Sequence, residues 1–600
     1  MQQCVTDLER HGHLIRIKEE VDPYVEMAAI HLRVYENNGP ALLFERVKGS
    51  KYRAVSNLYG SIERSRFLFR DAIDRVSKLV QLKGDPSSLL KNPSWILDAG
   101  LGGLHALPRK TNARFDEINI SDLPQIQCWP NDGGPFVTLP QVFTEDVDKP
   151  GILGSNLGMY RIQLGGNDYK QNQEIGLHYQ LHRGIGVHQT KSNALGQPLK
   201  VAIFVGGPPS HSFAAVMPLP EGLPEVSFAG ALGGRRFRYQ NWNGFTISSD
   251  ADFVILGEVY PKENKPEGPF GDHLGYYSLK HDFPLMRVKR VLAKKDGIWA
   301  FTVVGRPPQE DTSFGALIHE ITGPIIPQTI PGLKEVNAVD AAGVHPLLLA
   351  IGSERYTPYS NERRPQEILT IANAILGFNQ MSLAKFLFIA ARQDSEQLDT
   401  HDYVNYFQHI LERLDTRRDL HFYTNTTIDT LDYSGDGLNT GSKVVIAAAG
   451  EPIRTLANSV PSELKLPHGF SNSTLVMPGV LAIEAQTFRD GQDISNLIDE
   501  LKSQLEVLQG FPMLIVCDDS SFLAHNINNF LWVTFTRCNP SHDIHGVDAF
   551  VKHKHWGCNG PLVFDARIKP HHAPPLIKDP EIEKRVDALG LKNGSLHGII

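Results

Sequence analysis

Six hundred residues, 41% hydrophobic and 21% charged, set an ordinary globular chain of about two to four domains. A net charge of −8 without any Lys/Arg-rich run excludes the basic field that nucleic acid demands. Five cysteines without a CxxC pair fit a reducing cytosol, and neither a signal-peptide core nor a membrane-length apolar run occurs, so a cytoplasmic protein is expected, at most peripheral to an inner membrane.

From the start of the chain, "VTDLERHGHLIRI" predicts a short helix, a turn and a strand, and "PALLFERV" a second strand. "RSRFLFRDAIDRVSKLVQLK" has helical spacing, which makes residues 1–120 an α/β domain. Pro and Gly crowd 121–155, in "WPNDGGPF" and "DKPGILG", and mark a boundary. Strands then dominate to about 330, with "LKVAIFVG", "DFVILGEVY", "LMRVKRVLAKK" and "IWAFTVVG" punctuated by Gly and Pro. That pattern predicts a β-barrel or sandwich with long functional loops. From 331 to 600 strand and helix alternate again. Two stretches there echo each other as strand, helix, strand: "FLFIAA…THDYVNYFQHILERLD…SKVVIAAA" and "MLIVCD…AHNINNFLWVTFTRCN…PLVFDA". His401 answers to His525 and Arg413 to Arg537, so an internal duplication and a chance recurrence of a common α/β unit both stay open.

Several segments carry polar side chains suited to chemistry. "PEGPFGDHLGYY" places Glu267 and Asp272 on a short loop stiffened by glycines and a proline. Two acids held that close can titrate apart, one charged and one protonated near neutrality, which suits proton transfer; two solvated acids in a turn are the other reading. "GSNLGMYRIQL" offers Asn156 as an oxygen ligand for a hard cation and Arg161 as a fork for a carboxylate or phosphate. "GLHYQLHRGIGVH" brings His178, His182, Arg183 and His188, which fits either a metal site or surface histidines. Glu225 lies in a proline-stiffened loop. No Walker motif, no zinc-protease motif and no GxGxxG after a strand appears, which leaves the standard nucleotide folds without support.

In order, "NLGMYR", "LHRG", "MPLPEGLPE", "EGPFGD" and "FLWVTFTR" resemble the UbiD family of decarboxylases, and so does the opening "DLERHGHLIRIKEEVDP". The resemblance implies an N-terminal α/β domain over 1–120, a central split β-barrel of flavin reductase-like type over 121–330, and an extended C-terminal α/β domain over 331–600. It implies prenylated FMN, Mn²⁺ or Mg²⁺, and a K⁺ ion, and reversible loss of CO2 from an aromatic or α,β-unsaturated acid. A flavin prenyltransferase would supply the cofactor, and a homo-oligomer, dimer or higher, is implied.

By matched motif positions, Asn156, His182 and Glu225 look like the metal ligands. Met159, Tyr160, Arg161, His178, Tyr179, Gln180, Arg183 and Gly184 would line the flavin, and carbonyls around Ala214, Ala215 and Met217 would hold potassium. Lys385 would reach the cofactor phosphate, and "FLWVTFTR" would bring Arg537 nearby. Arg161, Glu267 and Asp272 would form the family's acid–Arg–acid network, with Asp272 returning a proton to the carbon that lost CO2. Burial beside Phe270 is expected to raise the pKa of that donor. Asp at 272 fits the quinone-pathway branch and makes a 4-hydroxy-3-polyprenylbenzoate of ubiquinone synthesis the leading substrate, with a menaquinone precursor and a small phenolic or heteroaromatic acid left open. Two rival readings stay open, an ordinary split-barrel FMN oxidoreductase and an inactive scaffold relative.

Overall fold

The protein is described here by a computed structural model covering residues 1–84, 92–179, 184–219, 223–323, 329–356 and 363–600. It forms two compact units: Met1–Pro324 with Pro575–Ile600, and Ile325–Pro574. The final residues therefore leave the 331–600 stretch expected as one domain. Their helix Pro580–Gly590 packs on the helix Glu26–Glu36, where Arg33 pairs with Glu583 and Asp587.

In the first unit, strands Leu14–Val21, Ala41–Val47, Arg53–Ser56 and Ile298–Ala300 make a four-stranded sheet in that order. Alternation in "LIRIKEEV" buries Leu14, Ile17 and Val21, while the fully apolar run of Ala41–Phe44 is buried on both faces. The segment "IWAFTVVG", expected among the barrel strands, instead supplies Ile298–Ala300 to this sheet, parallel to Arg53–Ser56.

The larger sheet has nine strands. Its order is Phe136–Val137, Ile162–Gln163, Glu174–Leu177, His281–Ala293, Phe253–Glu267, Leu199–Val205, Gln141–Glu145, Ser155–Gly158, with Asp116–Ile118 added beside His281–Ala293. Every pairing is antiparallel. Chain connectivity forces it to curl. Ser155–Gly158 is the last strand of the path and Ile162–Gln163 the second, yet only residues 159–161 join them, a link that spans roughly 14 Å at full stretch. A flat sheet would set those strands six places apart, about 28 Å. The sheet is thus a curled half-barrel whose mouth is bridged by Met159, Tyr160 and Arg161.

The second unit holds two five-stranded sheets. One runs Leu333–Ala338, Leu347–Gly352, Phe386–Ala391, Gly441–Ala448, Leu420–Thr426; the other runs Phe470–Met477, Val480–Ala485, Met513–Cys517, Leu562–Asp565, Ile544–Gly546. In both, the three central strands are parallel and both outer pairings antiparallel. Among the described residues no helix is long and apolar enough to cross a membrane.

Candidate active site

Four neighbouring strands of the curled sheet, Ile162–Gln163, Glu174–Leu177, His281–Ala293 and Phe253–Glu267, have ends at one rim. Leu177 pairs with Ile162, and the next residue, His178, donates its backbone N–H to the Arg161 carbonyl at 3.3 Å. Glu267 closes the strand Phe253–Glu267 opposite His281. Side chains far apart in sequence, Arg161, His178 and Glu267, therefore share one rim. The loop after Glu267 folds back at Gly268, whose φ of +86° suits glycine, and carries Asp272 to the same place.

Arg161 grips both acids. Its Nε and Nη2 donate to Glu267 Oε1 and Oε2, each at 2.9 Å, while Nη1 donates to Asp272 Oδ2. Nη2 also reaches Ser278 Oγ at 3.0 Å, and the guanidinium lies 4.8 Å from the Phe270 ring centroid. Glu267 is fully buried. Burial alone would raise its pKa, but the Arg161 charge and the donors on His178 and Arg161 outweigh burial and hold it at about 2. A carboxylate at Glu267 fixes the tautomer of His178: Nδ1, 3.2 Å from Oε2, carries the hydrogen. Burial and the Arg161 charge keep that imidazole neutral, and it packs 4.1 Å from the Phe283 ring.

Asp272 departs from expectation. Burial again pushes its pKa up, but His273, hydrogen-bonded through Nδ1 and backbone N–H to Oδ1, and the Arg161 charge bring it below the ordinary value. The pair is not split into one charged and one protonated acid, because a single guanidinium lies between the two and stabilises both as anions.

The sequence reading missed the supports of this constellation. Asp132, in the segment read only as a boundary, accepts N–H groups from Gly271, Cys128 and Trp129, and so pins the acid loop. Burial pushes Asp132 up to about 7 against those donors. Ser278 Oγ accepts from Arg161 and from the Phe270 N–H. Asp132 reads locally as a polar residue beside glycine and Ser278 as one after two tyrosines, and neither carries a further signal.

A second cluster lies at the other end of the 159–161 bridge. Leu157 N–H donates to Glu225 Oε2 at 3.1 Å, which places Asn156 beside Glu225, at the first turn of the helix Glu225–Leu232. Gly184 packs against Asn156 so closely that a Cβ there would stand 1.9 Å from Oδ1. Burial raises Glu225 above the ordinary range, with only backbone N–H groups offsetting it. A largely buried carboxylate beside an amide oxygen, lacking a nearby positive charge among the described residues, is a donor set that fits a hard divalent cation. His182, Gln180 and Arg183 lie outside the described residues. Met159 N–H donates to the Ala215 carbonyl at 3.0 Å, and Ala214 and Met217 carbonyls accept from Met217 and Leu219 N–H groups. Tyr160 and Tyr179 rings are 6.0 Å apart, and the Tyr179 hydroxyl bonds to Gln189.

Two expected contacts belong to the second unit. Lys385 Nζ is enclosed there, 2.8 Å from Asp432 and bonded to Ser434 Oγ and the Cys538 carbonyl, so its ammonium is already neutralised. Within the second unit this side chain is a buried support, and its contact with the cofactor phosphate stays a proposal. Arg537 pairs with Asp518 at 3.1 Å.

Comparisons with known proteins identify the family and the fold that carry this site. Residues 5–83, 105–307 and 312–448 match the N-terminal, Rift-related and C-terminal domains of 3-octaprenyl-4-hydroxybenzoate carboxy-lyase, UbiD. The chain is 36% identical over 594 residues to a Chlamydia pneumoniae protein whose name makes it part of a 4-hydroxybenzoate decarboxylase, over 96% of this chain and 97% of that one. Among solved structures, vanillic acid decarboxylase of Sedimentibacter hydroxybenzoicus in closed form aligns with TM-score 0.62 at 22% identity, over 84% of this chain and 98% of the other. The UbiD-class enzyme HmfF of Pelotomaculum thermopropionicum aligns in complex with FMN at TM-score 0.58 and 20% identity, over 77% of this chain and 97% of that one. Its evolved dimeric form in complex with prFMN gives 0.55 at 19%, over 78% and 98%. Family domains that span most of the chain, on a fold shared with these decarboxylases, place the protein in the UbiD family as a carboxy-lyase.

Proposed function

We propose that the protein decarboxylates, reversibly and without net oxidation, an aromatic or α,β-unsaturated carboxylic acid with the help of prenylated FMN and a divalent metal. The observation that carries the reading is Arg161 fixed between two buried carboxylates. The flavin complexes of the relative HmfF support the cofactor, and the hydroxybenzoate in the name of the chlamydial relative supports a hydroxylated aromatic acid, with a 4-hydroxy-3-polyprenylbenzoate of quinone synthesis as the leading candidate.

Asn156, His182 and Glu225 would hold Mn²⁺ or Mg²⁺, which would tie the cofactor phosphate to the protein. Met159, Tyr160, His178, Tyr179, Gln180, Arg183 and Gly184 would line the flavin, and the carbonyls of Ala214, Ala215 and Met217 retain second lone pairs for K⁺. When bound, prenylated FMN supplies the electron sink for the pair released as CO2 leaves. The chain's own part is charge and proton placement. Glu267 keeps Arg161 aimed, and Arg161 receives the substrate carboxylate. That arrival weakens the hold of Arg161 on Asp272, whose pKa rises with the loss of its counter-ion, so Asp272 takes up a proton and delivers it to the vacated carbon.

A flavin prenyltransferase would provide the cofactor, and a homo-oligomer is favoured by the dimeric relative. The test is reconstitution with prenylated FMN and Mn²⁺, followed by CO2 release and deuterium exchange over a panel of aryl and acrylic acids. Turnover that needs NAD(P)H and proceeds with ordinary FMN would favour the oxidoreductase reading and defeat this one. No exchange with any acid would favour the inactive scaffold.

Within the same proposal, the curled sheet is read as the split β-barrel of flavin reductase type and the second unit as a tandem duplication. Shared strand order supports the latter, and matched polar details add to it. Helices Tyr403–Arg413 and Ile527–Arg537 are each 11 residues long and are capped by Asp402 and Asn526. Six residues beyond each terminal Arg, Asp419 and Asp543 accept the N–H of Asp415 and Asn539. Asp394 and Asp518 accept the N–H of Gly450 and Ile568, each just past the last central strand.

A further inference from the structure

The helix Trp95–Ala106, "WILDAGLGGLHA", turns its apolar side the wrong way for a buried helix. Glycines fix the orientation. A Cβ at Gly102 would stand 2.4 Å from Leu79 in the helix Ile73–Gly84, and a Cβ at Gly230 would stand 2.2 Å from the His105 carbonyl. Close approach through these two glycines holds the inner side, and Leu97, Leu101 and Leu104, at helical spacing, point outward with Ile96 and Leu107 beside them. Leu97 is 76% exposed and none of the other four less than 47%. Five large exposed aliphatic side chains within twelve positions form a contiguous patch of the kind that marks an interaction surface.

The chemistry at the end of the patch selects the partner. Leu107 leads into the exposed pair Arg109 and Lys110, on a short strand parallel to the one that opens at Arg238. Arg236 Nε donates to the Leu104 carbonyl at 3.1 Å, so its charge sits over the same helix. Nearby acids are already neutralised: Asp98 by Lys78 at 2.6 Å, and Asp250 by Arg235 and Arg238. Among the described residues, Arg109 and Lys110 have no carboxylate partner. In a chain of net charge −8 this local excess of cations stands against the overall sign. We propose that this face is a membrane-docking surface, on which the helix lies in the plane of an anionic bilayer with its leucines among the acyl chains and Arg109, Lys110 and Arg236 at the lipid headgroups. An interfacial helix needs this pairing of an aliphatic face with adjoining cations and no spanning length. Pairing with a second copy is disfavoured, because among the described residues Asp98 and Asp250 beside this face are already paired and leave no free acid to meet the other copy's cations.

The experiment is flotation of the full chain with vesicles of phosphatidylcholine alone or with 30% phosphatidylglycerol, at low and high salt. The expected result is binding to the anionic vesicles at least about tenfold tighter than to the neutral ones and lost at high salt. Leu97→Glu with Leu101→Glu should abolish binding. Arg109→Gln with Lys110→Gln should weaken it by about twenty-fivefold, at roughly fivefold per cation. All four positions are exposed, so thermal unfolding should stay unchanged, and any variant that shifts it is replaced by Leu104→Ser. Equal binding to both vesicle types, or anionic binding unaffected by the leucine changes, overturns the proposal. So does absent vesicle binding, and a smaller sedimenting species for the leucine variant would then assign the face to self-association.

Discussion

Arg161 and Glu267, which are 106 residues apart in sequence, meet through two parallel hydrogen bonds of 2.9 Å while Nη1 of the same guanidinium holds Asp272. One cation thus compensates two anions removed from water. Arg161→Met should leave both carboxylates buried without a counter-charge and lower stability by about 3–5 kcal/mol. Adding Glu267→Gln should restore much of that loss, since a neutral amide needs no cation. Urea unfolding of the three proteins measures both effects; additive losses in the double variant would mean that the two side chains are not coupled.

The low pKa of Glu267 makes stability depend on pH in a defined direction. Its carboxyl is held at about 2 in the folded chain against 4.5 as the ordinary value. A depressed folded pKa stabilises above the unfolded value, and that stabilisation is lost as pH falls through the folded one. Between pH 4.5 and 2 the wild type should therefore lose about 3 kcal/mol that Glu267→Gln does not lose. Urea midpoints measured across that range should converge for the two proteins at the acid end. Parallel curves would mean that Glu267 is not ionised by Arg161.

Asp272 is assigned as proton donor in the proposed reaction although it is held ionised when no acid occupies Arg161. Asp272→Asn should abolish deuterium incorporation, a loss of at least about a hundredfold, with flavin retention unchanged. Asp272→Glu should keep part of the activity. Deuterium exchange followed by NMR on one good substrate separates these outcomes, and exchange retained in the Asn variant would move the donor elsewhere.

Much of the first unit's local structure was legible because apolar periodicity decides it. "PALLFERV" becomes the strand Ala41–Val47, "LKVAIFVG" becomes Leu199–Val205, and "DFVILGEVY" opens the long strand Phe253–Glu267. "IWAFTVVG" was equally apolar, but periodicity does not say which sheet a strand joins. The motif positions Arg161, Glu267 and Asp272 were legible as chemistry; the charge state of Asp272 was not. Burial by Phe270 could be guessed from adjacency, whereas the opposing effects come from the hydrogen bonds of His273 and the charge of Arg161, which act only once the loop has its folded shape and the curl of the sheet brings Arg161 to it. Asp132 was passed over for a similar reason: a carboxylate among glycines reads as a turn, and its task of receiving the Gly271 N–H exists only once two distant loops touch.

Gly184 offers a test of the proposed metal site that spares the fold. It begins the helix Gly184–Ala194, and a Cβ there would stand 1.9 Å from Asn156 Oδ1, the free end of a side chain that can swing aside. Gly184→Ala should therefore cost little stability, less than about 1 kcal/mol, because alanine also favours the helix. The displaced Asn156 would no longer present its oxygen beside Glu225, and Mn²⁺ affinity should fall by about tenfold or more, as it does when a ligand loses its orientation. Glu225→Gln, which removes the anionic donor, should weaken Mn²⁺ further. Metal content after dialysis, read with thermal unfolding of the same samples, checks the separation. A Gly184→Ala protein that keeps full Mn²⁺ would remove Asn156 from the ligand set, whereas one that loses its fold would mean the contact is structural.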